Sequence, residues 1–243
     1  MVYNSGAMER KFNFSLDEYY HIYSRGTDRR EIFLDNNDRE RFLKGLYVYN
    51  SGKPIKFRDI KDIRYENILR TNPYTAIGSF CLMPNHFHLL LRETEEGGIS
   101  AFMGKLLTSY SMYFNKKYKR TGGLFEGTFR AEHVSNDNSL KYLFAYIQLN
   151  PVKLIDSEWK VNGIKNQKFA ENYLKKYRYS SFEDYMNEEV DEREETLILD
   201  KKAFPDYFEQ KKDFKDFITE WLTYRDEEEG TLLMEDKKDA QNQ

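Results

Sequence analysis

The stretch CLMPNHFHLLL, Cys81–Leu91, carries two of the four histidines in the 243-residue chain. It reads as the end of one apolar strand, a Pro84-Asn85 turn and the start of a second strand. Side chains alternate between the faces of a strand, so His86 and His88, two residues apart, point the same way. Two imidazoles presented side by side from an apolar sheet need a common partner.

The flanking segments supply a fold for this hairpin. Its arms are YTAIGSFCLMP, Tyr74–Pro84, and HFHLLLRET, His86–Thr94. Upstream, YYHIYSRG, Tyr19–Gly26, alternates like a strand and stops at glycine. Asp35 to Asn50 then carries Phe42, Leu46 and Tyr49 at helical spacing after an Asp-Asn-Asn start. Downstream, Ile99, Phe102, Met103, Leu106, Tyr110 and Tyr113 form one face of a helix that closes on basic residues and Gly122-Gly123. GLFEGTFRAEHV, Gly123–Val134, reads as extended chain, and NDNSLKYLFAYIQLNP, Asn136–Pro151, as a capped helix that Pro151 ends. Strands and helices in this order give an α+β fold.

Composition narrows the function classes. With 40% hydrophobic and 16% aromatic residues the chain can bury a proper core. It has no long apolar run, and MVYNSGAMERKF lacks a signal core, so a soluble, cytoplasmic protein without a membrane partner is expected. The single cysteine, Cys81, excludes an internal disulfide and fits a reducing compartment. The net charge of −3 divides unevenly. Residues 188–243 hold 19 acidic and 9 basic residues, a charge of −10, which leaves +7 on the rest. A basic body is compatible with a phosphate-rich polymer.

The helix before Pro151 carries the histidines' candidate partner. Leu140, Leu143, Phe144 and Ile147 form one apolar stripe that must lie on the sheet. Tyr146 sits at a flank of that stripe, and Asn150, four residues on, lies along the same flank. A phenol and an amide oxygen can therefore face the same point.

MPNHFHLLL, the basic aromatic helix after it, LFEGTFRAEHV and YIQLNPVKL occur in this order in the single-tyrosine HUH nucleases. The chain resembles that family, most closely its REP-associated tyrosine transposases and more distantly the small TnpA-like insertion-sequence transposases. The resemblance covers Tyr19 to Tyr185, including YHIYSRGTDRREIF and YRYSSFEDY. It implies a ferredoxin-like antiparallel sheet with helices packed on one side, within a transposase domain of residues 1–187. It assigns His86 and His88 to the metal, Tyr146 to the nucleophile and Asn150 to the third metal ligand, where some relatives have glutamine. The implied cofactor is a divalent ion, Mg2+ or Mn2+, which would polarise the scissile phosphate. The implied activity is cleavage and rejoining of single-stranded DNA near a hairpin or repeat. Attack by tyrosine gives a 5′-phosphotyrosine link and a free 3′ hydroxyl.

These residues also have ordinary structural uses. A paired histidine can be polar surface, a flank tyrosine can be packing, and Asn150 before Pro151 can be a helix stop. Tyr110 and Tyr113 are rival nucleophiles placed on an apolar stripe, and His21 and His133 carry no assigned chemistry. Arg25, Lys105, Lys116, Lys117, Lys119, Arg120 and Arg130 are candidate nucleic-acid contacts that border the site or cap the helix facing it. Residues 188–243 form an acidic extension with one amphipathic helix, marked by Phe214, Phe217, Ile218, Trp221 and Leu222, and a mobile solubilising tail. The alternatives to a transposase are a domesticated, non-cleaving hairpin-binding protein and a hydrolase that uses water in place of Tyr146. Both monomer and homodimer are open.

Overall fold

The computed structural model describes residues 13–186, 193–208 and 211–223. A β-α-β-β-α-β unit runs through β1 (Tyr19–Arg25), α1 (Asn36–Tyr49), β2 (Thr75–Met83), β3 (His86–Glu93), α2 (Gly98–Lys117) and β4 (Arg130–Val134). Its four strands form one antiparallel sheet in the order β2-β3-β1-β4, the ferredoxin-like arrangement. Asp35 caps α1 by accepting from the Asp38 backbone N–H, and the Asp38 carboxylate returns the bond to the cap. Of Gly123–Val134, expected to be extended, the last five residues form the strand.

Both sheet faces are apolar, so both are covered. Ile22, Phe80, Leu82, Phe87, Leu89 and Leu91 face α1 and α2 in one core. Cys81, Met83 and Leu90 face the other way, onto α3 (Asp137–Leu149). The one-sided packing expected from the sequence describes α1 and α2. The opposite face is closed by α3, with α4 (Trp159–Asn162), α5 (Gln167–Lys176), α6 (Phe182–Met186) and α7 (Lys211–Thr223) around it. Alternation within β3 explains this, because Leu90 leaves an apolar surface beside the two histidines.

One contact starts α3 and another fixes it on the sheet. Asn136 caps it by accepting from the Ser139 N–H at 2.8 Å, and Gln148 Nε2 donates to the buried hydroxyls of Ser79 on β2 and Ser181. The outer edge of β2 is closed by residues 179–181, through Leu82 N–H to Tyr179 O and Ser181 N–H to Phe80 O. Gly78 interrupts the β2 register. A Cβ there would lie 2.6 Å from the Phe204 ring, so the close approach of that downstream segment requires glycine.

Phe144 of α3 touches the rings of Tyr185, Phe208, Phe214 and Phe217. Phe214, Ile218 and Leu222 of α7 are buried in the same core. Phe144→Ala is therefore expected to cost about 3–5 kcal/mol in urea unfolding. A cost below about 1 kcal/mol would mean that residues 204–222 add nothing to this core. The acidic end expected to be mobile, residues 224–243, lies outside the described residues.

Candidate active site

β3 delivers both histidines to the α3 side of the sheet. His88 is fully buried and His86 half-buried, with ring centroids 4.9 Å apart and planes nearly perpendicular. Each has its Nδ1 engaged by a neighbour. His86 Nδ1 donates to Asn85 Oδ1 at 2.6 Å, and His88 Nδ1 lies 3.0 Å from His21 Nε2. An imidazole held at Nδ1 presents its other nitrogen, Nε2, for coordination, as metal-ligating histidines do.

A second layer stands behind His88. β1 places Tyr23 opposite His88 and His21 opposite Leu90, and β4 places Glu132 beside His21. His21 Nδ1 is 3.7 Å from Glu132 Oε2, and Tyr23 OH donates to Glu132 Oε1 at 2.8 Å. Burial pushes the Glu132 carboxyl up, but His21, Tyr23 and Arg130 outweigh it and hold it below its ordinary value. Burial, then the charges of His86, His21, Lys153 and Lys160, holds His88 well below the usual imidazole range. His88 is consequently neutral at neutral pH, the form that can ligate a metal.

α3 lays Tyr146 over this cluster. Its ring meets His88 edge-on at 5.2 Å between centroids and His21 at 5.9 Å. Asn150 follows one turn later with helical angles, φ −53° and ψ −38°. Pro151 does not end the helical path, because it opens a 3-10 turn, Asn150–Leu154, where the proline's missing N–H costs no bond. Asn150 is 1% exposed, and among the described residues neither its Oδ1 nor its Nδ2 has a hydrogen-bond partner. A buried amide in that state fits a ligand that supplies its own charge. Among the described residues no three His, Cys, Asp or Glu side chains converge as a metal set.

Two lysines complete the site, and the sequence reading missed both. Lys160 Nζ lies 4.1 Å from the centre of the Tyr146 ring and Lys153 Nζ 5.4 Å from it. Lys153 could have been found, since it stands seven residues after Tyr146 and three after Asn150, on one helical line. His21, given no chemistry in the sequence, is the contact that orients His88. His133 Nε2 is hydrogen-bonded to Glu18 Oε2 at 2.7 Å, away from the cluster.

The seven candidate cations separate. Arg25 pairs in register with His86 and Arg130 with Tyr23, so both lie on the histidine face, with Arg25 bridged to Glu126. Lys105, Lys116, Lys117, Lys119 and Arg120 were expected to border the site or cap the helix facing it. That helix, α2, lies on the other side of the sheet, because its apolar stripe belongs to the core shared with α1. There Lys117 is bound to Asp35 and Asp38, and Arg120 to Asn115 Oδ1. Tyr110 and Tyr113 sit on that side too. Tyr110 OH donates to Ile32 O and burial pushes its pKa far up, whereas Tyr113 donates to Asp38 and is pushed up to about 12, chiefly by burial.

No helix among the described residues is long and apolar enough to cross a membrane. A search of curated proteins finds no match by sequence. Among solved structures, a REP-associated tyrosine transposase bound to a REP hairpin is 16% identical, over 73% of this chain and 84% of that one, at a TM-score of 0.45. A bacterial tRNA(His) guanylyltransferase-like protein in complex with ATP is 11% identical, over 72% and 74%, at 0.36. Likenesses this distant set no residue's role. The family described as "Transposase IS200 like" matches residues 15–150, more than half of the chain and the whole span from β1 to Asn150. The chain belongs to the IS200-like transposase family.

Proposed function

We propose that the protein cleaves and rejoins single-stranded DNA beside a hairpin or repeat, through a covalent link to Tyr146. The observation that carries this reading is the pair of imidazoles, each held at Nδ1, with the Tyr146 ring against one of them and the buried Asn150 amide one turn away.

His86 Nε2, His88 Nε2 and Asn150 Oδ1 are the atoms that would hold a divalent ion. When bound, Mg2+ or Mn2+ would polarise the scissile phosphate. Tyr146 gives up its phenolic proton, and its Oη forms the bond to phosphorus. The bond from phosphorus to the 3′ oxygen breaks, and that oxygen takes up a proton. A returning 3′ hydroxyl reverses each change and reseals the strand. Lys153 and Lys160 set positive charge beside the Tyr146 ring, where it would balance the charge of an incoming phosphate.

The test is incubation with labelled single-stranded hairpin oligonucleotides and Mn2+, followed by a denaturing gel. A protein band that carries label and is sensitive to chelator is expected. Binding without any such band across the oligonucleotide pool would transfer the reading to a hairpin-binding module.

His21 supplies a second expectation. His21→Leu removes the acceptor that holds His88 Nδ1 and should weaken Mn2+ binding, measured by calorimetry, by about 10–100-fold. His21→Gln, which keeps an acceptor, should recover part of that loss. Unchanged affinity in both variants would leave His21 as packing.

A further inference from the structure

A groove of about 930 Å³ opens between α1, α2 and residues 51–58, on the side of the sheet away from Tyr146. Six cations line it, Arg41, Lys53, Lys56, Arg58, Lys105 and Lys116, and among the described residues no carboxylate does. Its floor is built around Arg41, which is only partly exposed. The guanidinium packs on the Phe57 ring with the Tyr113 ring 5.3 Å away, and Nη2 donates to Ser109 Oγ at 3.0 Å and Tyr49 OH at 3.4 Å.

These partners are all neutral. Among the described residues Arg41 has no carboxylate within ion-pair distance, and the same holds for Lys53, Lys56, Lys105 and Lys116. Lys105 Nζ donates to Ser51 O and Tyr74 OH, both uncharged. Only Arg58 is matched, by Asp59. The contrast with Lys117 is direct, since that lysine on the same helix is bound by two aspartates. A partly buried cation without a counter-charge is costly, and several in one concavity focus a positive potential. The cost falls when an anion enters. Arg41 is held by its aromatic neighbours with only Nη2 committed, so its remaining donors can meet phosphate oxygens.

We propose that this groove binds the phosphate backbone of the DNA flanking the cleavage point, as a second contact surface separate from the catalytic one. The proposal rests on the reading of the chain as a DNA-acting protein. It assigns Lys105 and Lys116 a role in a place other than the histidine face. A strand held at both surfaces passes around the edge of the sheet.

The test is equilibrium binding in a Tyr146→Phe background, where no cleavage intervenes, by fluorescence anisotropy over a series of salt concentrations. Three probes are used: a hairpin with single-stranded tails, the stem alone and a tail alone. Lys53→Gln/Lys56→Gln changes two exposed side chains and leaves the fold intact, and Arg41→Gln is the stronger variant, checked by its melting curve. For the tailed hairpin the double variant is expected to bind about tenfold more weakly. The slope of log affinity against log salt should fall by about 1.4–1.8, the value for two lost phosphate contacts. Whichever of stem or tail shows the same loss is the part of the DNA held in the groove. Affinity and slope within twofold of the parent, or an equal loss in Lys175→Gln/Lys176→Gln on α5, would overturn the proposal. The expected groove effect, together with a parent protein that keeps Tyr146 and never forms a covalent adduct, would instead overturn only the strand-transfer reading.

Discussion

Tyr146→Phe is expected to abolish the covalent protein-DNA band, with cleavage falling by at least about 10⁴-fold, the order lost when an enzyme's nucleophile is removed. The variant keeps the ring that packs against His88 and His21 and loses only the oxygen. DNA affinity should therefore stay within about twofold. The rival tyrosines make the control sharp. Tyr113→Phe removes a hydroxyl bound to Asp38 on the far side of the sheet, so it should cost stability and spare the adduct. Tyr110 is poorer still as a nucleophile, because its hydroxyl is spent on Ile32 O and burial opposes its ionisation. Cleavage that survives in Tyr146→Phe would identify water as the nucleophile, and a band that survives would identify another tyrosine.

The parts of this site that were legible in the sequence are the parts written in local patterns. Pro84-Asn85 punctuates the hairpin, alternation puts His86 and His88 on one face, and the spacing of Tyr146 and Asn150 survives Pro151 because the 3-10 turn continues the helical path. What was not legible depends on pairing between distant segments. His21 looks like any polar residue in an aromatic-rich strand until β1 is set against β3 in the register that joins Tyr23 to His88. Helical phase gave the apolar stripe of α2, the helix that carries Lys105 and Lys116. It could not show which face of the sheet α2 covers, and that choice separated them from the histidines. The closure of the second face by α3 and α7 was half legible: both amphipathic stripes were visible, but their mutual packing through Phe144 and Phe214 was not.

Asn150→Leu is expected to move stability in opposite directions with and without metal. In the structure the Asn150 amide is buried and neither of its polar atoms is hydrogen-bonded among the described residues. Such a group costs roughly 1–3 kcal/mol, which a leucine of similar volume would not incur. The metal-free variant should accordingly be more stable than the parent by about 1–2 kcal/mol in urea. Saturating Mn2+ at a hundred times its Kd would stabilise the parent by about 2.7 kcal/mol, and the variant, having lost a ligand, should gain much less. His86→Ala supplies the comparison, because it removes a half-buried imidazole proposed to hold the ion and should lose the metal effect without the gain in the metal-free state. If Asn150 served only to shape the turn at Pro151, its replacement would destabilise the protein equally in both conditions. A reversal of sign between the two conditions is something a purely structural asparagine cannot produce, so this pair of unfolding curves separates a ligand kept ready at a cost in stability from a residue kept for the fold.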